Sequence, residues 1–127
     1  MKKRGLLNPA LSAAIARLGH TDTFVVADCG LPIPAGVPVI DLALVFGVPT
    51  FDQTLRALLD EVVVEGAMAA SEARGAVVEG LLTAVIGVPE WVDHEELKRR
   101  VADASFVVRT GENTPYANVI LRSGVPF

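Results

Sequence analysis

The stretch Thr23-Phe24-Val25-Val26-Ala27-Asp28 predicts a buried strand that ends directly before a carboxylate. The five residues before Asp28 are β-branched, aromatic or small, a composition typical of buried strands. The ten residues after Asp28 include five glycines and prolines, which predict an ordered but irregular loop. In α/β sheets, ligands bind beside the carboxyl ends of the strands. We therefore expect Asp28 to lie at a binding site.

Helical and extended patterns alternate on both sides of this strand. Asn8-Pro9 is a favourable helix start, and Thr50 with Gln53 and Asp93 with Glu96 have the spacing of a capping box. The predicted helices cover residues 9–18, 51–59, 71–85 and 94–104, and the predicted strands cover residues 23–27, 39–46, 62–69, 90–92, 105–109 and 118–122. We therefore expect an α/β fold: a three-layer single domain over residues 1–127, with a mostly parallel central sheet flanked by helices.

The composition limits the classes of function. The net charge of −4 argues against a nucleic-acid-binding protein, which needs a basic surface. The mean hydropathy of +0.46 is high for a soluble monomer, yet every apolar run of membrane-spanning length contains charged residues. We expect no membrane span and a buried subunit interface. The single cysteine, Cys29, and the lack of a signal peptide favour a cytoplasmic location.

The first of two polar segments contains His20, which follows the end of a predicted helix at Gly19. Thr21, Asp22 and Asp28 bring a hydroxyl and two carboxylates close to it in sequence. An imidazole with a carboxylate partner is suited to general acid–base catalysis near neutral pH. A histidine in such a loop can equally make a purely structural hydrogen bond. His20 is therefore a candidate catalytic residue.

The second polar segment combines His94 with Tyr116 and Asn118. His94 is expected at a helix start, where the helix dipole disfavours the imidazolium and a neutral ring can hydrogen-bond a sugar hydroxyl. Tyr116 and Asn118 stand two residues apart before a predicted strand, so their polar tips are expected to face the same way. The plainer alternatives are a surface histidine and a packed tyrosine.

Several other chemistries lack their sequence signatures. The chain has no G-x-G-x-x-G, no phosphate-binding P-loop and no G-x-S-x-G. His94-Glu95-Glu96-Leu97 begins like the zinc motif H-E-x-x-H, but Lys98 occupies the second histidine position. One histidine cannot hold a catalytic zinc, which needs three protein ligands. We expect neither a metal nor a nucleotide.

Three long stretches resemble a known family. They are LGHTDTFVVADCGLPIP at residues 18–34, IDLALVFGVPTFDQ at residues 40–53, and GENTPYANVIL at residues 111–121 with SGVPF at residues 123–127. Together they resemble the D-ribose pyranase family over nearly the whole chain. The fucose mutarotase branch of the same superfamily is similar in GH-x-D near the start and Y-x-N-I near the end. That branch lacks the run LPIP, which this chain has at residues 31–34.

The resemblance implies a cofactor-independent isomerase that interconverts β-D-ribopyranose and β-D-ribofuranose by acid–base ring opening and closing. It implies a proton-transferring role for His20 and contacts with D-ribose from Asp28, His94, Tyr116, Ala117 and Asn118. It also implies a homodecamer of two pentameric rings, with each site formed at a subunit boundary. Two alternatives stay open: an L-fucose-type mutarotase, and a non-catalytic accessory protein that binds ribose without changing its ring form.

Overall fold

The computed structural model describes all residues, 1–127, and places four α-helices around a six-stranded sheet. The helices are α1 Pro9–Ala16, α2 Phe51–Leu59, α3 Val77–Ile86 and α4 His94–Val101, with a short 3-10 turn at Ser71–Ala73. The strands are β1 Thr23–Ala27, β2 Val39–Asp41, β3 Val64–Ala70, β4 Glu90–Val92, β5 Phe106–Arg109 and β6 Val119–Ser123. No helix is long and apolar enough to cross a membrane.

The sheet has the strand order β2-β5-β1-β6-β3-β4. Five strands run in one direction, as expected, but β6 runs antiparallel to both of its neighbours, β1 and β3. Residues 110–118 contain no helix that could carry the chain back across the sheet, so β6 starts at the edge where β5 ends. The first residues of β6 therefore lie beside the last residues of β1, which brings two distant parts of the sequence together.

The sheet is covered on both faces, which confirms the three-layer α/β fold. On one face, Phe24 and Val26 of β1 pack in a cluster with buried residues of α1, α2 and α3. On the other face, Val25 and Ala27 pack with Leu97 and other buried residues of α4. Because β1 is buried from both sides, its sequence is a continuous apolar run and not an alternating one.

The predicted helix starts are confirmed by their capping contacts. The Asn8 side chain accepts a hydrogen bond from the amide of Leu11 at 2.9 Å, and the Asp93 side chain caps α4. At α2, the side chains of Thr50 and Gln53 form a reciprocal capping box. Each contact satisfies backbone amides that have no partner within the first turn of the helix.

Two elements differ from the sequence-based expectation. The strand expected over residues 39–46 ends at Asp41, and the apolar segment Leu44–Phe46 that follows is exposed. The helix expected over residues 71–85 is interrupted at Gly75, where the chain takes a left-handed conformation with φ of +78°. Glycine adopts this conformation without steric cost. Hydrophobic composition alone did not distinguish these irregular segments from regular ones.

Candidate active site

A cleft of about 380 Å³ opens at the sheet edge where β1 ends and β6 begins. Only three of its twelve lining residues are hydrophobic, so the cleft suits a small polar molecule. Four of the predicted substrate-binding residues line it: Asp28, His94, Tyr116 and Asn118. The antiparallel course of β6 produces this convergence, because it places Asn118 next to the carboxyl end of β1.

Asp28 and Asn118 form a reciprocal pair on the floor of the cleft. The amide Nδ2 of Asn118 donates to Oδ2 of Asp28 at 2.8 Å, and the backbone amide of Asp28 donates to Oδ1 of Asn118 at 2.9 Å. The amide of Gly30 donates to the other carboxylate oxygen of Asp28 at 2.9 Å. Asn118 is fully buried. The pair therefore holds the Asp28 carboxylate in one orientation, with acceptor capacity left for a hydroxyl group.

His94 is the first residue of α4, as the sequence predicted, and its ring meets that of Tyr116. The two ring centroids are 5.1 Å apart, with the rings nearly perpendicular. The backbone amide of His94 donates to Glu72 at 3.0 Å, and this bond is the main reason that the pKa of the Glu72 carboxyl is lowered. The ring Nδ1 of His94 is buried without a hydrogen-bond partner in the chain. Buried polar atoms are normally paired, so this nitrogen is an exception within the chain.

Tyr116 and Asn118 do not alternate along a strand as expected. Tyr116 has a left-handed backbone with φ of +63°, and its carbonyl accepts a hydrogen bond from the amide of Asn118 at 2.8 Å. This tight turn precedes β6, and it still directs both residues to the cleft. Ala117 lies between them with its side chain buried in the hydrophobic core. Any contact of Ala117 with a ligand is therefore made by its main chain.

Glu112 also lines the cleft, although no pattern in the sequence indicated it as a site residue. Burial raises the pKa of its carboxyl, but hydrogen bonds from Thr114, from the amide of Phe51 and from the amide of Asn113 outweigh burial, so the net pKa is lowered. The bond to Phe51 joins the cleft loop to the first turn of α2. Glu112 therefore holds this loop in place as an ionised acceptor. Its only signal in the sequence was its position inside the stretch at residues 111–121.

His20 lies at the opposite edge of the sheet from this cleft. It precedes β1, whereas Asp28 follows β1, and a strand of five residues spans about 16 Å. The ring Nε2 of His20 lies 2.9 Å from Oε2 of Glu65, in β3. The neighbouring carboxylate of Asp22 instead accepts from the amide of Gly19. The prediction that Asp22 or Asp28 is the carboxylate partner of His20 is therefore wrong, because the partner is Glu65.

The chain matches the model of the RbsD / FucU transport protein family over residues 1–126. It belongs to this family. Two similar family members are the D-ribose pyranases of Cutibacterium acnes and Corynebacterium glutamicum, which are 61% and 63% identical to the chain over 127 residues. Both matches cover the whole of each protein.

Solved structures of other proteins have the same architecture. The structure of Bacillus subtilis RbsD complexed with D-ribose superimposes with a TM-score of 0.95 at 46% identity, and the match covers all of both chains. The fucose mutarotase of Streptococcus pneumoniae, in complex with L-fucose, has a TM-score of 0.81 at 21% identity, covering 95% of each chain. The likeness to the fucose mutarotase is one of fold alone. The likeness to Bacillus subtilis RbsD extends over both sequence and structure.

Proposed function

We propose that this protein is a D-ribose pyranase, an enzyme that interconverts β-D-ribopyranose and β-D-ribofuranose. The observation that carries the proposal is the polar cleft that is lined by a fixed carboxylate, Asp28, and by His94, Tyr116 and Asn118. These groups suit a ligand rich in hydroxyls. The identity of the sugar rests on relatives more than 60% identical over their full length, which carry the name D-ribose pyranase.

The reaction needs proton transfers and no change of oxidation state. Removing the proton from the anomeric hydroxyl and delivering one to the ring oxygen breaks the bond between C1 and that oxygen, which gives the open-chain aldehyde. The hydroxyl on C4 then attacks C1, loses its proton, and the carbonyl oxygen gains one, which closes the furanose ring. A side chain that both accepts and returns a proton serves every step. Positioning of the sugar supplies the remainder of the rate acceleration.

The residues of the cleft divide these tasks. Asp28 accepts hydrogen bonds from sugar hydroxyls, and Asn118 holds Asp28 in place and offers its remaining amide hydrogen. His94 and Tyr116 contribute the ring nitrogen and the phenol at the other side of the cleft. Ala117 contributes its main chain. His20 is the acid–base residue of the proposal.

His20 reaches the sugar from a neighbouring subunit. Within one chain it lies at the opposite sheet edge from the cleft, so a complete site needs His20 of the partner subunit beside Asp28. Both edges carry exposed apolar side chains. Leu44, Val45 and Phe46 flank the cleft edge, and Val63, Val125 and Phe127 flank the edge of His20.

A contact between these two different edges is head-to-tail, and such contacts form a closed ring when the rotation between neighbouring subunits allows closure. The two apolar edges therefore support a ring in which each subunit donates His20 to the next cleft. The decamer of two pentameric rings is the proposed form of this assembly. A cytoplasmic location is proposed with it, because the substrate of such an enzyme is a free sugar that takes part in metabolism.

Exchange spectroscopy by NMR tests the function directly. We expect the protein to accelerate ribopyranose–ribofuranose exchange in an equilibrium solution of D-ribose by at least about a hundredfold over a buffer blank, the scale of general acid–base catalysis. L-Fucose serves as the matched comparison. Faster anomer exchange of L-fucose than of D-ribose would instead support the mutarotase alternative. Ribose binding without any acceleration would support the non-catalytic accessory protein.

A second prediction concerns the pair on the cleft floor. Asp28→Ala and Asn118→Ala should each weaken ribose binding by on the order of 1–3 kcal/mol, or about 5- to 150-fold in Kd. The first removes the acceptor of sugar hydroxyls, and the second frees the Asp28 carboxylate and leaves its backbone amide unpaired. Calorimetry with D-ribose measures the effect. Asp60→Ala is the comparison, because Asp60 is exposed at the end of α2 and does not line the cleft, and a loss as large as that of Asp28→Ala would contradict the assignment.

A further inference from the structure

The catalytic candidate His20 is held by a short chain of charged side chains. Its ring Nε2 lies 2.9 Å from Oε2 of Glu65, and the other oxygen of Glu65 lies 3.0 Å from Nε of Arg122. The carboxylate is thus held from both sides, and its orientation is set by two neighbouring strands, β3 and β6. His20 and Glu65 are 45 residues apart in the sequence. Their contact is a product of the fold.

The pairing of β3 with β6 is irregular around Glu65. In the pairing of β3 with β6, Val64 is opposite Ser123 and Gly66 is opposite Arg122, so Glu65 has no residue directly opposite it. Such a bulge changes the direction in which a side chain points, and bulges are common next to active sites. The side chain of Glu65 is directed to His20 and not along the regular pleat.

The neighbouring glycine leaves room for the arginine. A Cβ atom added to Gly66 would lie 3.2 Å from Nη2 and 3.4 Å from Nε of Arg122, which is tighter than most real contacts. Arg122 therefore lies across the bare backbone of Gly66 while it pairs with Glu65. On the other side, the loop of His20 is anchored to the end of β6, because the amide of Thr21 donates to the carbonyl of Ser123 at 2.9 Å.

The contact with Glu65 determines which ring nitrogen of His20 carries the proton. An ionised carboxylate accepts hydrogen bonds and cannot donate them, so Nε2 of His20 must be the donor. In the neutral ring the other nitrogen, Nδ1, then has a free lone pair and is the basic atom. The imidazole side chain is 54% exposed, so Nδ1 remains open to a substrate.

We infer that Glu65 is a positioning residue that fixes the tautomer of His20, so that Nδ1 exchanges protons with the sugar in the cleft of the adjacent subunit. Arg122 supports this role by holding Glu65 in its orientation. The inference rests on the proposed function, because it assigns Glu65 a part in the same reaction. Glu65 itself has no contact with the sugar in this scheme and acts only through His20.

The test combines a spectroscopic measurement with kinetics. Protein labelled with ¹³C and ¹⁵N in histidine reports the tautomer through ring chemical shifts, and the two histidines of the chain are told apart by the signals that disappear in His20→Ala. In the neutral ring, observed in alkaline buffer, we expect the proton of His20 on Nε2 in the ribose-free wild-type assembly. Glu65→Ala should give a mixture of tautomers.

The kinetic expectation is a loss of kcat of about ten- to a hundredfold in Glu65→Ala with KM changed far less, as for other partners that orient a functional histidine. Glu65→Gln should retain part of kcat, because its amide oxygen can still accept from Nε2. The control is Asp52→Asn, since Asp52 pairs with Arg56 on α2 at the same fractional exposures as Glu65 with Arg122. This control should leave both the tautomer and kcat unchanged.

A wild-type proton on Nδ1 of His20 would overturn the inference, and this measurement is made on the wild-type protein, with His20→Ala used only to assign the signals. An unchanged kcat in folded Glu65→Ala would overturn it as well, with or without a change of tautomer. Failure of the proposed function would give a different result: wild-type protein would not accelerate ribose exchange at all, while the tautomer of His20 could still be measured.

Discussion

His20→Ala is expected to lower the rate of ribopyranose–ribofuranose exchange by about a hundred- to ten-thousandfold, the range typical of a general acid–base group. The substitution removes the imidazole that takes and returns the proton. It leaves the pair formed by Asp28 and Asn118 in place, because His20 lies at the other edge of the sheet. Ribose binding, measured by calorimetry, should therefore persist while exchange measured by NMR is lost.

His94→Ala is the matched comparison, since it removes the only other histidine of the chain. The ring of His94 lines the cleft, so this substitution should weaken binding and change kcat less than His20→Ala does. The reverse result, with exchange abolished in His94→Ala and intact in His20→Ala, would show that His94 is the acid–base residue. Because Nδ1 of His94 has no hydrogen-bond partner in the chain, His94 is the competing candidate for the acid–base residue in that comparison.

Mixed assemblies of two impaired variants should regain activity. At ribose concentrations well below the Kd of Asp28→Ala, we expect both His20→Ala and Asp28→Ala to be impaired alone, and their co-assembly in equal amounts to leave about a quarter of the boundaries with wild-type activity, by random pairing of subunits across head-to-tail boundaries. At such a boundary, an intact His20 of one subunit meets an intact Asp28 of the next. A site formed within a single chain cannot be restored in this way.

The control for this experiment is a double variant. In this control, His20→Ala and Asp28→Ala are combined in one chain, which is co-assembled with wild type. Both defects then lie on the same subunit, and the same random pairing leaves about a quarter of the boundaries intact. Light scattering on each sample should give a mass several times the 13.4 kDa of the chain. A monomer, or mixed assemblies with no more activity than their parents, would contradict a site shared between subunits.

The regular elements could be predicted from the sequence because their signals are local. The apolar run at residues 23–27 forms β1 at the predicted bounds, and the capping residues Asn8, Thr50 and Asp93 each begin a helix. The irregular segments were less predictable. The apolar residues Leu44–Phe46 resemble a strand, but they are exposed beside the cleft. Local composition does not show which apolar surface is covered by the same chain.

The candidate site was predictable in its residue types but not in its arrangement. Asp28, His94, Tyr116 and Asn118 were expected near a ligand, and the fold places all four at one cleft. Glu112 and Glu72 were missed, because each acts through hydrogen bonds to backbone amides of distant segments. No spacing in a sequence reports such contacts.

The order of helices and strands, their capping and the polar residues available for chemistry follow from local sequence, since these features depend on neighbours a few positions apart. Which polar residues meet depends on how the strands pair. The antiparallel course of β6 joins Asn118 to Asp28 across 90 residues, and the bulge in β3 turns Glu65 to His20. Strand direction and pairing are set by packing across the whole sheet, so one reversed strand determines which side chains share a site, while the length of β1 separates His20 from the cleft of its own chain.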